Sequence, residues 1–398
     1  MPKQTVADVD IAGKRVLLRA DLNVTFIPNT NVISDDSRIK AVMPTIDYLK
    51  SKGAKIILCS HLGRPKGRVV EELRLTPVAN RLKELITDGF SYVSDVIGPA
   101  VESEVDEMRE GDVLLLENLR FYPGEESNDA EFAKGLSRFA DVYVNDAFGA
   151  AHRAHASVHA ITELLPAVAG FQMSQEIEML GSTVDNPQRP LLAVMGGAKV
   201  SDKILVLQKL IDRIDRLIIG GGMAATFLKA LGHEMGKSAI EEDRFDLVKS
   251  ALSKANDMGV NVVLPVDFVV ARSFCEEAEP VIVKFDEVPA DGFIMDIGPS
   301  TIEEFKMSIL GSKTVIWNGP MGVFEWTSFS KGTSAVALAI AGLKSATTVV
   351  GGGSTAEAVE TFGVSDRMSH VSIGGGASLE FMEGKELPAV AVLPDREN

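Results

Sequence analysis

Short apolar runs that end in polar residues recur along this chain, with helix-period stretches between them. In the first half the runs are 15–24 (RVLLRADLNV), 55–62 (KIILCSHL), 113–120 (VLLLENLR) and 140–148 (ADVYVNDAF). Between them, Thr76 to Leu85 places its apolar residues at helical spacing. Strand alternating with helix predicts a parallel sheet covered on both faces. The alternation restarts at 191–197 (LLAVMGG) and continues through 216–222, 261–270, 314–320, 347–353 and 370–376. Two α/β units in succession are expected. Their join should fall near 165–190, where Pro166 and Gly170 precede a helical stretch (MSQEIEMLGSTV) and Asp185-Asn186-Pro187 breaks the chain before the next strand. A helix in that place is a natural hinge.

Length and charge narrow the picture. A chain of 398 residues fits about two domains of roughly 150 residues each, and 45% hydrophobic content is enough for two cores. A net charge of −16 and a pI near 4.9 argue against nucleic acid or an acidic membrane as partner, since both need a basic field. Any bound anion must therefore be held by a local basic cluster. The two cysteines, Cys59 and Cys275, lie far apart, which argues against a disulfide framework and for a reducing compartment. The start, Met-Pro-Lys-Gln-Thr, lacks the basic and apolar segments of a signal peptide, and no uninterrupted apolar run reaches about 18 residues. A cytoplasmic protein is expected.

Ligands of open parallel sheets bind beyond the carboxyl ends of the strands. In the first half those ends carry Asp21 and Asn23, His61 and Arg64, Glu117, Asn118 and Arg120, then Asn145, Asp146 and Arg153, with Arg38 in a nearby loop context. A single strand-end arginine is most often a solvated surface residue. Four arginines with Asn, His and Asp beside them point instead to an anion site, because the planar guanidinium donates paired hydrogen bonds to phosphate and carboxylate. Asp21 is out of place there, so it is expected to receive a substrate hydroxyl or to orient an arginine. The second half carries four glycine clusters at strand ends: Gly196-Gly197, Gly220-Gly221-Gly222, Gly351-Gly352-Gly353 and Gly374-Gly375-Gly376. Glycine lets the backbone approach an anion, and a following helix aims N–H groups and its positive dipole end at the same place. One half reads as built for a polyphosphate and the other for a smaller anion.

Several motif matches are weak. Gly220-x-Gly222-x-x-Ala225 and Gly351-x-Gly353-x-x-Ala356 fit a dinucleotide fingerprint, but several such loops converge here where a hydride-transferring enzyme would use one per nucleotide. Gly232-His233-Glu234-Met235-Gly236-Lys237-Ser238 resembles a Walker A loop with one residue too few, and it follows a helix-like run, as a helix-terminating turn would. His152, His155 and His159 are spaced for one helix face. With no cysteine and few carboxylates nearby, a basic edge beside Arg153 accounts for them better than a metal site. Lys199 and Lys203 at i, i+4 would place two ammonium groups on one side of a helix start, a like-charge cost that a bound polyphosphate would remove.

Taken together, KRVLLRADLNV, SHLGRPKG, LLENLRFYPGEE, YVNDAFGAAHRAHAS, VMGGAKVSDKI, IIGGGMAATF, VIWNGPMGVFE, VVGGGSTAEAV and HVSIGGGASLEFMEGKELP resemble the phosphoglycerate kinase family from end to end. The resemblance implies an α/β fold of two Rossmann-like domains, each a parallel sheet covered by helices, joined by a hinge helix with a deep interdomain cleft. It implies an N-terminal domain at 1–170, a hinge helix at 171–188, a nucleotide domain at 189–385, and a segment 386–398 that returns to the first domain. The implied reaction is phosphoryl transfer between 1,3-bisphosphoglycerate and ADP, giving 3-phosphoglycerate and ATP, with Mg2+ bound to the nucleotide and a monomeric enzyme. By similarity Asp21, Asn23, Arg38, His61, Arg64, Arg120 and Arg153 would hold the triose acid. Lys203, Asn318, Glu325 and the loop Gly352, Gly353, Ser354 and Thr355 would hold the nucleotide, with Gly197 and Gly221 in the adenine slot and Glu325 on the ribose. Arg38 and Lys199, with the N–H groups of Gly374 and Gly375, would stabilise the transferring phosphoryl group. No general base is needed, because the attacking carboxylate is already ionised.

Three positions depart from the family pattern. Ser354 stands where the loop usually has an aspartate approaching the metal, which implies weaker or altered metal dependence and leaves no protein metal ligand to name. Ile373 stands where a threonine is usual, and Thr25 where a proline is. Two rival readings stay open at this level: a non-catalytic homologue that binds nucleotide and anion, argued against by retention of Arg38, Lys199 and Lys203, and a nicotinamide-dependent dehydrogenase.

Overall fold

The computed structural model describes residues 2–396; residue 1 and the last two residues of the 386–398 segment lie outside the described residues. The chain divides into two compact units, one running through Glu178 and resuming at Glu386, the other spanning Met179–Lys385. The boundary falls inside the helix Phe171–Asp185. Among the described residues no helix is long and apolar enough to cross a membrane.

In the first unit, β1 (Arg15–Ala20), β2 (Lys55–Cys59), β3 (Phe90–Tyr92), β4 (Val113–Leu115), β5 (Val142–Asp146) and β6 (Ala167–Ala169) form one sheet in the order β3-β4-β2-β1-β5-β6. Every pairing is parallel. The central strands are mostly apolar because both faces are covered. Val16, Leu18, Ile56 and Leu58 point into one core, while Leu17, Ile57, Cys59 and Tyr143 point into the other. The helix Thr76–Leu85 closes the first core with Val78, Ala79 and Leu82. Strands β3 and β6 have only three residues each and escaped the periodicity reading. The chain end is tied into the same unit: Gln4 N–H donates to the Pro394 carbonyl at 2.9 Å, Lys3 pairs with Asp395 at 2.8 Å, and Ala389 N–H donates to the Ala151 carbonyl at 3.1 Å.

The second unit repeats the plan with β7 (Leu191–Met195), β8 (Arg216–Ile219), β9 (Asn261–Val263), β13 (Thr314–Asn318), β14 (Thr347–Gly351) and β15 (His370–Val371), again all parallel, in the order β9-β8-β7-β13-β14-β15. The run 261–270, expected as one strand, is two. Pro265, which has no N–H for a ladder, separates β9 from β10 (Asp267–Ala271). With β11 (Val281–Lys284) and β12 (Phe293–Ile297), β10 builds a small antiparallel sheet over a core of Ala271, Met295 and Phe329.

Candidate functional site

The carboxyl ends of β1, β2 and β5 gather the polar residues of the first unit. Arg38, in the first turn of the helix Ser37–Ser51, donates through Nη1 to Asp21 Oδ2 at 2.9 Å. Asp21 therefore orients an arginine, and its other oxygen accepts from the Asn23 amide at 3.2 Å. Asn23 Oδ1 accepts from Gly63 N–H at 2.8 Å, and Arg120 Nη1 donates to the Gly63 carbonyl at 2.7 Å, which ties the SHLG turn to the ENLRF turn. Asn118 pins the same pair of turns through the Leu62 amide and the carbonyls of Leu62 and Leu73. Arg153 donates to His152 Nε2 at 3.0 Å, and Arg64 is exposed.

The cluster is cationic enough to perturb itself. Burial, with Arg19 and Arg153 nearby, pulls Arg120 down to about 10, and its Nε is buried without a hydrogen bond. His155 is pushed down to about 4 by burial and by Arg120, Arg19 and Arg153. Burial, with Arg19, Arg120 and Arg38 nearby, holds His61 well below the usual histidine range. Glu126, 3.4 Å from Arg120 Nε, offsets part of this crowded positive charge, and a bound anion would relieve the rest. Sequence reading missed Arg19, which lies fully buried within β1. Its signal was available: on the face shared with Leu17 and opposite Cys59 in register, a guanidinium inside an apolar strand needs a dedicated partner.

In the second unit the ends of β7, β8, β13 and β14 enclose a cavity of about 1070 Å³. The glycines there do two different jobs. Gly196, Gly197, Gly221 and Gly319 bring backbone against backbone: Gly197 N–H donates to the Pro320 carbonyl at 2.8 Å and Met223 N–H to the Gly197 carbonyl at 2.9 Å. A Cβ on Gly221, whose φ is +62°, would lie 2.5 Å from Gly197 N. These clusters make a thin wall, and the amides of Gly196 and Gly197 are already bonded to the chain. The Gly352–Thr355 turn, in contrast, lines the cavity at the start of the helix Gly353–Thr361, where dipole and amides favour an anion. Thr355 Oγ1 accepts from Gly319 N–H at 2.7 Å and locks that turn to β13.

Lys203 reaches the same cavity. Its ammonium would touch a Cβ on Gly197 at 2.9 Å, and burial lowers its pKa. Asn318 is buried with Nδ2 unpaired, and Glu325 is an exposed carboxylate at the rim. The shared helix start expected for two lysines needs correction. Lys199 and Lys203 do not share a helix start, because the helix begins at Ile204 and both lie in the preceding turns, capped by Glu241 through the amides of Val200 and Ser201. Lys199 is exposed and does not line the cavity. Gly374 spends its N–H on Ser372 Oγ at 3.3 Å, so Gly375 and Gly376 are the residues that face the space. The histidines His152, His155 and His159 lie in turns and 3₁₀ segments and share no helix face. The Walker-like 232–238 segment is a helix-ending turn, with Lys237 and Ser238 at the cavity.

One parallel sheet ending in a guanidinium cluster, and a second ending in a glycine-walled cavity with a half-buried lysine, define a two-domain α/β protein. The family model of phosphoglycerate kinase matches residues 6–385. Among solved structures, the chain is similar to phosphoglycerate kinase from Coxiella burnetii, with 39% identity over 98% of both chains and a TM-score of 0.87. It is likewise similar to phosphoglycerate kinase from Pyrococcus horikoshii OT3, with 33% identity over 98% of both chains and a TM-score of 0.87. The chain belongs to the phosphoglycerate kinase family, and phosphoglycerate kinase activity follows from that membership.

Proposed function

We propose that the protein interconverts 1,3-bisphosphoglycerate plus ADP with 3-phosphoglycerate plus ATP, by in-line transfer after closure about the helix Phe171–Asp185. The observation that carries this reading is the assignment of two complementary anion sites to two separate units: guanidinium groups in one, a large glycine-walled cavity with a desolvated lysine in the other. Arg38, His61, Arg64, Arg120 and Arg153, with Asp21 and Asn23 as organisers, bind the triose acid. Gly197 and Gly221 form the base slot, and Lys203 meets the phosphates. Asn318 Nδ2 donates to a nucleotide oxygen, Glu325 accepts from the ribose, and Gly352, Gly353, Ser354 and Thr355 cradle the polyphosphate.

The acid's carboxylate is the nucleophile and loses no proton, so the protein's work is positioning and charge stabilisation. Arg38 from one unit and Lys199 from the other serve the equatorial oxygens of the transferring group, joined by the amide of Gly375. Closure brings the two ligands into line and excludes water. Among the described residues no group of three His, Cys, Asp or Glu is placed to hold a metal ion. A Mg2+ that arrives on phosphate oxygens and keeps its waters needs few protein ligands. Ser354 is the side chain nearest in sequence to that role, and bound Mg2+ supplies charge neutralisation of the phosphates. A monomeric, cytoplasmic, glycolytic enzyme completes the proposal.

The test is ADP release from ATP by the purified protein, with and without 3-phosphoglycerate, in magnesium and then manganese. Turnover strictly dependent on the acid is expected. Binding of both ligands without turnover in either metal would overturn the catalytic reading in favour of a non-catalytic homologue.

A further inference from the structure

His61 is almost fully buried at the end of β2, and its Nδ1 lies 3.1 Å from Nη2 of Arg19. A guanidinium has only donors and does not deprotonate in this pH range, so Nδ1 must accept. An imidazole that accepts at Nδ1 is neutral and carries its proton on Nε2. Among the described residues no protein group bonds that Nε2, and it is not one of the sealed, unpartnered polar atoms of the structure. The donor is therefore open to solvent or ligand.

Arg19 is itself held from behind. Its Nη1 donates to the Ala20 carbonyl, and its Nε donates to Ser157 Oγ at 2.9 Å. The Ser157 hydroxyl has one proton, which it gives to Glu125 Oε1 at 2.6 Å, while the Ser157 amide donates to Oε2 at 2.9 Å. Glu125 and Ser157 have no solvent exposure, and an ionised carboxylate only accepts. Every hydrogen bond from Glu125 to His61 thus has one permitted direction.

We propose that Glu125, Ser157 and Arg19 are positioning residues that fix His61 as the neutral Nε2–H tautomer, making it a hydrogen-bond donor, and not a cation, toward the acidic substrate. The proposal rests on the reading of this cluster as the acid site. It gives His61 a task the arginines cannot perform: a single directed donor that adds no charge to a crowded cationic patch. The charged groups facing His61 are Arg19, Arg120 and Arg38, with His155 beside them. The nearby carboxylates are already engaged, Asp21 with Arg38 and Glu125 with Ser157. All of this opposes protonation of the ring.

Long-range 1H–15N spectra of the full chain labelled at its six histidines test this without any turnover, with the His61→Gln spectrum assigning the signal. A pyridine-like Nδ1 and a pyrrole-like Nε2, unchanged from pH 5.5 to 8, are expected. A pyrrole-like Nδ1, or titration of His61 near the ordinary histidine range, overturns the proposal even if the enzyme is fully active. In Ser157→Ala the second tautomer should appear and the KM for 3-phosphoglycerate should rise about tenfold, the size of one lost hydrogen bond, while the KM for ATP stays put. Unchanged nitrogen signals and an unchanged KM in that variant would reduce the chain of bonds to a purely structural feature and sink the relay. Should the variant not fold, the wild-type spectra still decide.

Discussion

Replacing Gly221 by alanine tests whether the glycines of the second unit are there for close backbone approach. Its φ of +62° lies in the left-handed region, which costs an alanine about 1–2 kcal/mol. The new methyl would also sit 2.5 Å from Gly197 N and 2.6 Å from the Pro320 carbonyl oxygen. Those are backbone atoms of two neighbouring loops, so they yield only if the loops separate, adding about 1–3 kcal/mol of overpacking strain. Gly232 supplies the control: its φ is +99°, and a Cβ there meets nothing within 4 Å. Alanine at 232 pays for backbone conformation alone. Both tryptophans of the chain, Trp317 and Trp326, belong to the second unit, so urea unfolding followed by tryptophan fluorescence reports that unit. Gly232→Ala should lose about 1–2 kcal/mol and leave ADP affinity unchanged. Gly221→Ala should lose about 2–5 kcal/mol, the sum of the two costs. It should also weaken ADP binding at least about tenfold, because about 1.4 kcal/mol of wall distortion suffices for that. Equal destabilisation in the two variants, or intact ADP binding in Gly221→Ala, would refute the close-approach argument.

Asp296 is buried and accepts the amides of Ile297 and Gly332, yet burial without a cation raises its pKa to about 7. Below that value the folded protein holds a proton that the unfolded chain, with its carboxyl near 3.8, has already released. Stability of the second unit should therefore fall as pH rises through neutrality, by about 1 kcal/mol between pH 6 and 8; urea midpoints should show this slope in the wild type and lose it in Asp296→Asn. Arg38→Ala removes a charge-assisted bond and leaves Asp21 facing the anion site, so kcat/KM for 3-phosphoglycerate should drop about 10- to 100-fold with ATP affinity spared. An unchanged steady-state profile would remove Arg38 from the site. Ser354→Asp restores a carboxylate to the polyphosphate turn, and the magnesium concentration giving half-maximal turnover should fall; an unaltered magnesium response would show that this position does not govern metal use.

Much of the architecture was legible because its causes are local. Polar ends on apolar runs located the carboxyl ends of the central strands, since a parallel strand buried on both faces places most polar groups where it leaves the core. The helix 76–85 was readable from its spacing alone. The three-residue strands β3 and β6 carry no period of their own and emerge only through their neighbours. The split at Pro265 was marked in the sequence, but its consequence, a separate antiparallel sheet, depends on which partner each half finds.

The site divides in the same way. Residue type and clustering nominated Arg38, Arg120, Lys203 and the 352–355 turn, because several guanidinium groups together, and glycine before a helix, point to an anion. Tertiary structure decided the rest. It turned Asp21 onto Arg38, and it gave the amides of Gly196 and Gly197 to neighbouring backbone. It also placed Arg19, hidden inside an apolar strand, between His61 and a serine 138 residues further along the chain. Sequence fixes which groups a protein owns and the direction each local segment takes. Hydrogen-bond pairing across long separations is settled only when burial removes water and leaves each polar group the one partner within reach.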